Sequence, residues 1–328
     1  MKKNILLLLC SFVLLTACQS EEAPEKSTVI FDTDANNELD DQHALAYLFS
    51  NGDFFDIKGI TVNATPSGGE IDLHYDEAER ILQLYNLKGQ IPLINGANAN
   101  FEEIIASDSL KDDGAAAVDF MIEEANKGLL TIIAVGKLTN VALAVKKDPT
   151  FAKKVRLVWL GSNYPKPGEY NQNSDPASMN YLLDSDIPFE MVTVRYGEPS
   201  GTDAVKAIQT DIHEKMPKLG PQASTEITGR HEGTFKYFGD YAIDLFDHIQ
   251  LHGTPPSRPL FDMVAVAIIK NPAWGTTREI PAPILENGEW KERPNNTRKI
   301  TLWENFDKES LMTDFYSRME HYTLPETK

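Results

Sequence analysis

One stretch of the sequence indicates the fold class: Val29-Ile30-Phe31-Asp32-Thr33-Asp34-Ala35-Asn36-Asn37-Glu38-Leu39-Asp40-Asp41. It starts in a short apolar run, residues 28–31, which is typical of a buried parallel strand. Four aspartates follow within ten residues, and a helical apolar pattern begins directly after them. Ligands bind at the carboxyl ends of strands in an α/β sheet, so we expect these aspartates at the mouth of such a sheet.

This density of carboxylates predicts a metal site. Closely spaced carboxylates repel one another and raise each other's pKa unless a cation neutralises them. Oxygen ligands without Cys or His favour Ca²⁺ or Mg²⁺ over Zn²⁺. The alternative is a solvated acidic loop that caps the following helix, because Asp is common at helix N-termini.

The first residues resemble an export signal. Two lysines precede the apolar run Ile5 to Leu15, which is too short to span a bilayer, so residues 1–17 are predicted to be a signal peptide. The segment ends in Leu15-Thr16-Ala17-Cys18, which resembles a bacterial lipobox and implies cleavage before Cys18 and lipidation of its thiol. An ordinary signal peptide with a chance cysteine is the alternative. Residues 18–27 are predicted to be a flexible lipidated tether, and the protein is expected to be exported and membrane-anchored.

Composition narrows the function classes. The formal charge of −18 would become −20 after loss of Lys2 and Lys3, so a phosphate backbone would be repelled and nucleic-acid binding is not expected. Both cysteines, Cys10 and Cys18, lie at or before the cleavage point, so the mature domain is expected to use neither disulfides nor thiolates.

From Thr28 onward, strand-like and helix-like stretches alternate, which predicts a mostly parallel β-sheet flanked by helices in one α/β domain, residues 28–328. Apolar periodicity further predicts a helix over residues 202–215, a mostly helical segment over 222–251, and two strands near the C-terminus. Residues 95–112 are polar, and their secondary structure is not assigned from the sequence.

Two later stretches carry further polar residues. The loop of residues 161–174 follows a buried strand and contains Asn163, Glu169 and Asn171. Amides and carboxylates both suit the hydroxyls of a sugar, although a plain surface loop explains them too. The second stretch is an apolar helix that begins with Asp262, for which an N-cap role is the simpler explanation when it is taken alone.

Together these segments resemble the inosine-uridine-type nucleoside hydrolases. The matching pieces occur in the family's order over nearly the whole chain after Val29: Asp32-Thr33-Asp34, Asp40-Asp41, Gly136-Lys137-Leu138-Thr139-Asn140, Glu169-Tyr170-Asn171 with Asp175-Pro176, and Asp262 with Val264-Ala265-Val266-Ala267. The resemblance implies a Rossmann-like open sheet and a hydrolase that cleaves the N-glycosidic bond of ribonucleosides, or of a related ribosyl compound, with a Ca²⁺-bound water. It also implies a homodimer or homotetramer.

Residue roles follow from the same resemblance. Asp34, Asp41, Asp262 and the carbonyl of Val135 are expected to bind Ca²⁺, with Asp34 also the catalytic base. The residues expected to contact the substrate ribose are Asp40, Asn63, Asn163, Glu169 and Asn171. Asp32 resembles a buried aspartate that supports the first loop. These residue types suit a reaction through an oxocarbenium-like sugar, whose positive charge carboxylates stabilise.

The chain departs from the family pattern in two places. Five residues instead of three separate Asp34 from Asp40, and the usual Pro-Gly is missing. Phe261 occupies the position before the last aspartate, where the family has a histidine that acts toward the leaving base. The leaving group is therefore expected to be activated by His231 or Glu232, or held by aromatic stacking; His231 as an ordinary solvated loop residue is the alternative.

Two other functions fit parts of the sequence. A haloacid-dehalogenase-type phosphatase also opens with Asp-x-Asp after its first strand, but the residues after Asp34 fit it poorly. A Ca²⁺-dependent nucleoside- or sugar-binding lipoprotein would have the same acidic set without catalysis, since fold alone does not fix function.

Overall fold

The computed structural model describes residues 26–326. The predicted signal peptide, Cys18 and nearly all of the predicted tether lie outside the described residues. Among the described residues, no helix has both the length and the apolar character needed to span a membrane.

An eight-stranded sheet forms the centre of the fold, with the spatial order β11-β14-β6-β5-β4-β1-β2-β3. Its neighbours pair in parallel except for β11, which runs antiparallel to β14 at one edge. The strands are β1 (Ser27–Thr33), β2 (Phe55–Val62), β3 (Leu93–Asn95), β4 (Leu130–Ala134), β5 (Val155–Leu160), β6 (Phe189–Val192), β7 (Lys206–Ile208), β8 (Ile227–Thr228), β9 (Thr234–Phe235), β10 (Ser257–Pro259), β11 (Thr276–Pro281), β12 (Ile284–Glu286), β13 (Glu289–Lys291) and β14 (Lys299–Glu304).

Helices cover both faces of the sheet, and each face has its own apolar core. The helices are α1 (Asp40–Phe49), α2 (Ile71–Leu84), α3 (Phe101–Ala106), α4 (Ala115–Ala125), α5 (Thr139–Lys147), α6 (Tyr170–Ser174), α7 (Pro176–Leu183), α8 (Gln209–Lys215), α9 (Phe238–Asp247), α10 (Phe261–Lys270) and α11 (Lys308–Glu320). Side chains of β1 alternate between the two cores, as its Val29 and Phe31 belong to one and Ile30 to the other. The predicted single α/β domain with a mostly parallel sheet is confirmed.

Two local predictions were wrong, and one unassigned stretch contains a helix. The predicted helix over 202–215 is divided into a short turn, β7 and α8, because β7 pairs with β10 instead of continuing the helix. The predicted helical segment over 222–251 contains only α9, and β8 and β9 form a small hairpin before it. In the unassigned stretch 95–112, α3 begins with a capping box between Asn100 and Glu103.

Candidate active site

Three buried carboxylates meet in a cleft of about 240 Å³ at the carboxyl ends of β1, β4 and β5. Asp40, Asp41 and Asp262 each bring an oxygen atom within 4.8 Å of the other two. Asp40 and Asp41 lie in the first turn of α1, and Asp262 lies in the first turn of α10. Both helices therefore direct the positive ends of their dipoles toward the cluster, which offsets part of the carboxylate repulsion.

Burial raises the pKa of all three carboxyls well above the usual range of aspartate. Repulsion among the carboxylates adds to this effect, because each cluster member also feels the charge of Asp34. Ionisation of all three carboxyls is therefore unfavourable unless a cation binds between them.

Asp34 completes the acidic set. It is buried, lines the same cleft, and accepts a hydrogen bond from Thr65 Oγ1. Burial, with help from nearby carboxylates, raises its pKa to about 7. Gly136 allows the backbone to pass close to the Asp34 carboxylate, because a Cβ at this position would lie 2.9 Å from Asp34 Oδ1.

The donor set fits a hard divalent cation. Carboxylates surround the cleft, and Val135, whose carbonyl is one of the predicted ligands, also lines it. The Val135 carbonyl accepts a hydrogen bond from Asn171 Nδ2 at 2.8 Å and retains a second lone pair. Asn171 Oδ1 is buried without a hydrogen-bond partner among the described residues, as expected for an atom that awaits a ligand.

Asp32 lies behind the cluster and holds the strand ends together. Its buried carboxylate accepts hydrogen bonds from Thr61 Oγ1 at 2.6 Å, Asn140 Nδ2 at 2.7 Å and Asn63 Nδ2 at 3.1 Å. Burial raises its pKa to about 6 despite these donors. Asn63, one of the predicted substrate contacts, is therefore fully buried beside Asp32, and its Oδ1, near Gly136, has no hydrogen-bond partner within residues 26–326.

The other predicted ribose contacts divide into two groups. Asp40, Glu169 and Asn171 line the cleft. Glu169 begins α6, and its carboxylate accepts from the backbone N–H groups of Ser162, Asn171 and Gln172. Asn163 is not among the lining residues: its amide donates to the Pro167 carbonyl and accepts from the Tyr196 N–H, so it holds the loop.

The longer first loop forms part of the rim. Asn37 and Glu38 line the cleft, and arginines from the later part of the chain fasten this loop. Arg258 forms an ion pair with the Glu38 carboxylate. Arg230 donates to the backbone carbonyls of Glu38 at 3.2 Å and Asn36 at 3.1 Å. The longer loop is thus an ordered wall.

Aromatic side chains form another part of the wall. Phe261, Tyr170 and Tyr196 line the cleft, and the rings of Phe261 and Tyr196 meet edge to face at 6.0 Å. His231 and Glu232, the predicted polar contacts to the leaving group, are not lining residues. Both lie in the β8–β9 turn, where His231 Nδ1 is held 2.9 Å from Asp244 Oδ2.

Sequence reasoning missed several wall residues. Tyr170 lies between Glu169 and Asn171 in the family motif, but no role was predicted for it. Tyr196 and Arg258 lie in segments without a recognisable motif. The position of Tyr170 can be predicted from Glu169: because Glu169 is the N-cap of α6, the residue that follows it begins the helix at the same strand end. No comparable local signal marks Tyr196 or Arg258.

A larger cleft of about 490 Å³ lies elsewhere, between α3, α4 and α5. Its lining includes Ile105, Leu143, Lys111 and Lys147. Its two carboxylates, Asp108 and Asp113, belong to no cluster of three metal-binding side chains among the described residues, and the buried carboxylate cluster lies in the smaller cleft, so chemistry rather than size identifies the candidate active site.

The family model described as inosine-uridine preferring nucleoside hydrolase matches residues 29–313. Among curated proteins, uridine nucleosidase 1 of Arabidopsis thaliana is 33% identical over 133 residues, which are 38% of this chain and 34% of that protein. The pyrimidine-specific ribonucleoside hydrolase RihA of Shigella boydii is 24% identical over 313 residues, which are 87% of this chain and 93% of that protein. The first plant relatives are thus matched over only about a third of their length.

A solved plant nucleoside hydrolase has the same fold, with a TM-score of 0.70 at 18% identity over 90% of this chain and 99% of that one. Members of the family are metal-dependent, in agreement with the acidic cluster. The match of the family model over most of the sequence means that this chain belongs to the inosine-uridine preferring nucleoside hydrolase family.

Proposed function

We propose that this protein hydrolyses the N-glycosidic bond of ribonucleosides, or of a related ribosyl compound, with Ca²⁺ as its cofactor. The observation that carries the proposal is the convergence of Asp40, Asp41 and Asp262, buried and beside Asp34, in a cleft that Glu169 and Asn171 also line. Oxygen donors of this kind suit Ca²⁺, which has flexible coordination and takes carboxylate and carbonyl ligands.

In this proposal, Asp34, Asp41, Asp262 and the Val135 carbonyl hold the ion. When bound, Ca²⁺ would lower the pKa of a water and accept sugar hydroxyls. Asp34 removes the proton from the attacking water, since its carboxylate lines the cleft beside Asp40 and Asp41. The remaining carboxylates stabilise positive charge on the sugar ring as the bond to the base breaks.

Asp40, Glu169 and Asn171 orient the ribose. The Glu169 carboxylate is already fixed by three backbone N–H groups, so it presents its remaining lone pairs in a preorganised direction. The Asn171 amide is fixed through its Nδ2, which leaves its free Oδ1 to accept from a ribose hydroxyl. We assign Asn63 and Asn163 to the support of these groups, since their amides bond to Asp32 and to the loop backbone.

The leaving base is assigned to the aromatic wall. Phe261 has no proton to give, and together with Tyr196 it offers apolar surface for stacking. His231 and Glu232 have no part in this assignment, because His231 is engaged by Asp244.

Release of free ribose from a panel of purine and pyrimidine nucleosides tests the proposal. The purified protein with Ca²⁺ should release ribose from at least one of them, whereas Asp34→Asn should lose the activity. Asp76→Asn is the matched control, because Asp76 is an exposed aspartate on α2. Absence of release from every nucleoside, with Ca²⁺ shown to be bound, would contradict the proposal.

A binding protein without catalysis is the second candidate, and Phe261 in place of a proton donor favours it. Calorimetry would then show tight, Ca²⁺-dependent nucleoside binding without turnover of any nucleoside.

We also propose that the protein is exported, lipid-anchored at Cys18 by the tether, and homo-oligomeric. Support comes from the order of basic, apolar and lipobox-like segments in residues 1–18. Incorporation of labelled fatty acid into the intact chain, but not into Cys18→Ala, tests the anchor, and light scattering of the solubilised protein tests the oligomer.

A further inference from the structure

A second group of metal-binding side chains lies outside the cleft. His231, Asp244 and His248 each offer one ligand atom, and these atoms all lie within 4.8 Å of one another. We propose that this triad is a binding site for a borderline transition-metal dication of the Zn²⁺ class, separate from the Ca²⁺ site of the proposed function and independent of it.

The donor atoms are spaced as ligands of one ion would be. His231 Nδ1 lies 2.9 Å from Asp244 Oδ2. His248 Nδ1 lies 3.4 Å from Asp244 Oδ1 and donates a hydrogen bond to the Asp244 backbone carbonyl at 2.8 Å, so an ion bound through this nitrogen would replace its proton. Ligands bound at about 2.0–2.2 Å from one zinc ion lie about 2.8–3.6 Å apart when the angle between them is 90–110°. The two imidazoles thus flank the carboxylate at distances that a shared ion requires.

The backbone brings the three residues together from two elements. Asp244 lies in α9 and His248 is its C-cap residue, so the two are four residues apart and lie on the same face. Two ligands with this spacing on a helix form half of many zinc sites. His231 completes the group from the β8–β9 turn, and its ring lies 4.2 Å from that of His248 between centroids.

The chemistry of the donors selects the ion. Imidazole nitrogen suits Zn²⁺, Ni²⁺ and Cu²⁺, whereas Ca²⁺ prefers an all-oxygen site such as the cleft. The side chains of His231 and His248 are 27% and 49% exposed, so water can complete the coordination. The negative net charge of the chain favours the approach of any cation.

An ion here would tie the β8–β9 turn to α9. Arg230, next to His231, donates to the carbonyls of Asn36 and Glu38 in the rim of the cleft. The proposed site therefore stabilises the turn from which Arg230 fastens that rim.

Calorimetric titration with Zn²⁺ tests the proposal, with protein that lacks a polyhistidine tag and with excess Ca²⁺ to saturate the carboxylates of the cleft. The protein should bind one Zn²⁺, and its thermal unfolding midpoint should rise with Zn²⁺ concentration, because an ion that binds only the folded state stabilises it. His231→Ala and His248→Ala should each weaken binding by at least about tenfold, as loss of a ligand demands.

His213→Ala is the matched control. His213 also contacts an aspartate, Asp247, at 2.9 Å on the surface, but without a second histidine, so its replacement should leave Zn²⁺ binding unchanged. Titration of the unaltered protein with Co²⁺ adds a measurement that needs no variant: visible absorption bands should appear and should be lost when Zn²⁺ displaces Co²⁺. Equal Zn²⁺ affinity in the protein and in the His231→Ala/His248→Ala double variant would overturn the proposal, as would absence of Zn²⁺ binding in excess Ca²⁺.

Discussion

Changing pH should reveal the Ca²⁺ site through protein stability. Burial raises the folded-state pKa of Asp34 from 3.8 to about 7 in the ion-free protein. A carboxyl with a raised pKa contributes its full stability below pH 3.8, and that contribution is lost as pH rises through about 7. One pKa unit corresponds to about 1.4 kcal/mol, so ionisation of Asp34 alone would lower the free energy of unfolding by on the order of 4 kcal/mol above pH 7.

Ca²⁺ should reverse this trend, because it binds the dissociated carboxylates. Below pH 7, each pH unit should weaken the apparent affinity about tenfold for every carboxyl that must release a proton. Because a carboxyl with a pKa of about 7 is half protonated at pH 7, Asp34 accounts for about fiftyfold between pH 7 and pH 5, or about 2.3 kcal/mol. Asp40, Asp41 and Asp262 should steepen the dependence, since their pKa values are also raised.

Urea unfolding at pH 5 and pH 7.5, with EDTA or with Ca²⁺, measures the effect. The increase in the free energy of unfolding caused by Ca²⁺ should be larger at pH 7.5 than at pH 5. In EDTA, Asp34→Asn should be more stable than the unaltered protein at pH 7.5, because it lacks a buried charge. An equal Ca²⁺-induced increase in the free energy of unfolding at both pH values would contradict the binding of Ca²⁺ to dissociated carboxylates with raised pKa values.

Three further outcomes are expected. Asp32→Asn should lower the free energy of unfolding by about 1–3 kcal/mol, because it leaves at least one buried donor without an acceptor. Urea unfolding measures this loss, and the control Asp76→Asn should leave the free energy of unfolding unchanged. A loss no larger than that of the control would contradict the supporting role of Asp32. Asn171→Leu should raise KM for nucleosides far more than it shifts the unfolding midpoint, whereas an unchanged KM would remove Asn171 from the ribose contacts. Tyr196→Ala should weaken nucleoside binding by about tenfold, the value of one aromatic contact of about 1–1.5 kcal/mol, and should leave ribose binding unchanged; equal losses for both ligands would show that Tyr196 does not face the base.

The sequence predicted the fold and much of the cleft because the relevant signals are local. Asp34, Asp40 and Asp41 adjoin one strand and one helix start, and Asp262 begins a second helix, so the strand-end rule places them together. Periodicity failed over residues 202–251, because the apolar residues there pack in short strands and turns whose partners are distant in sequence.

The walls of the cleft could not be predicted for the same reason. The pairing of Arg258 with Glu38 joins residues 220 positions apart, and the contact of Tyr196 with Phe261 joins residues 65 positions apart. The roles suggested for His231 and Glu232 depended on their polarity alone, whereas the structure pairs His231 with Asp244.

The decisive measurement is a crystal structure grown with Ca²⁺ and a non-hydrolysable ribonucleoside analogue. We expect one ion held by Asp34, Asp41, Asp262 and the Val135 carbonyl, with the ribose hydroxyls on that ion and the base against Phe261. Carboxylates that point apart with no ion between them, or an analogue bound elsewhere, would contradict this expectation.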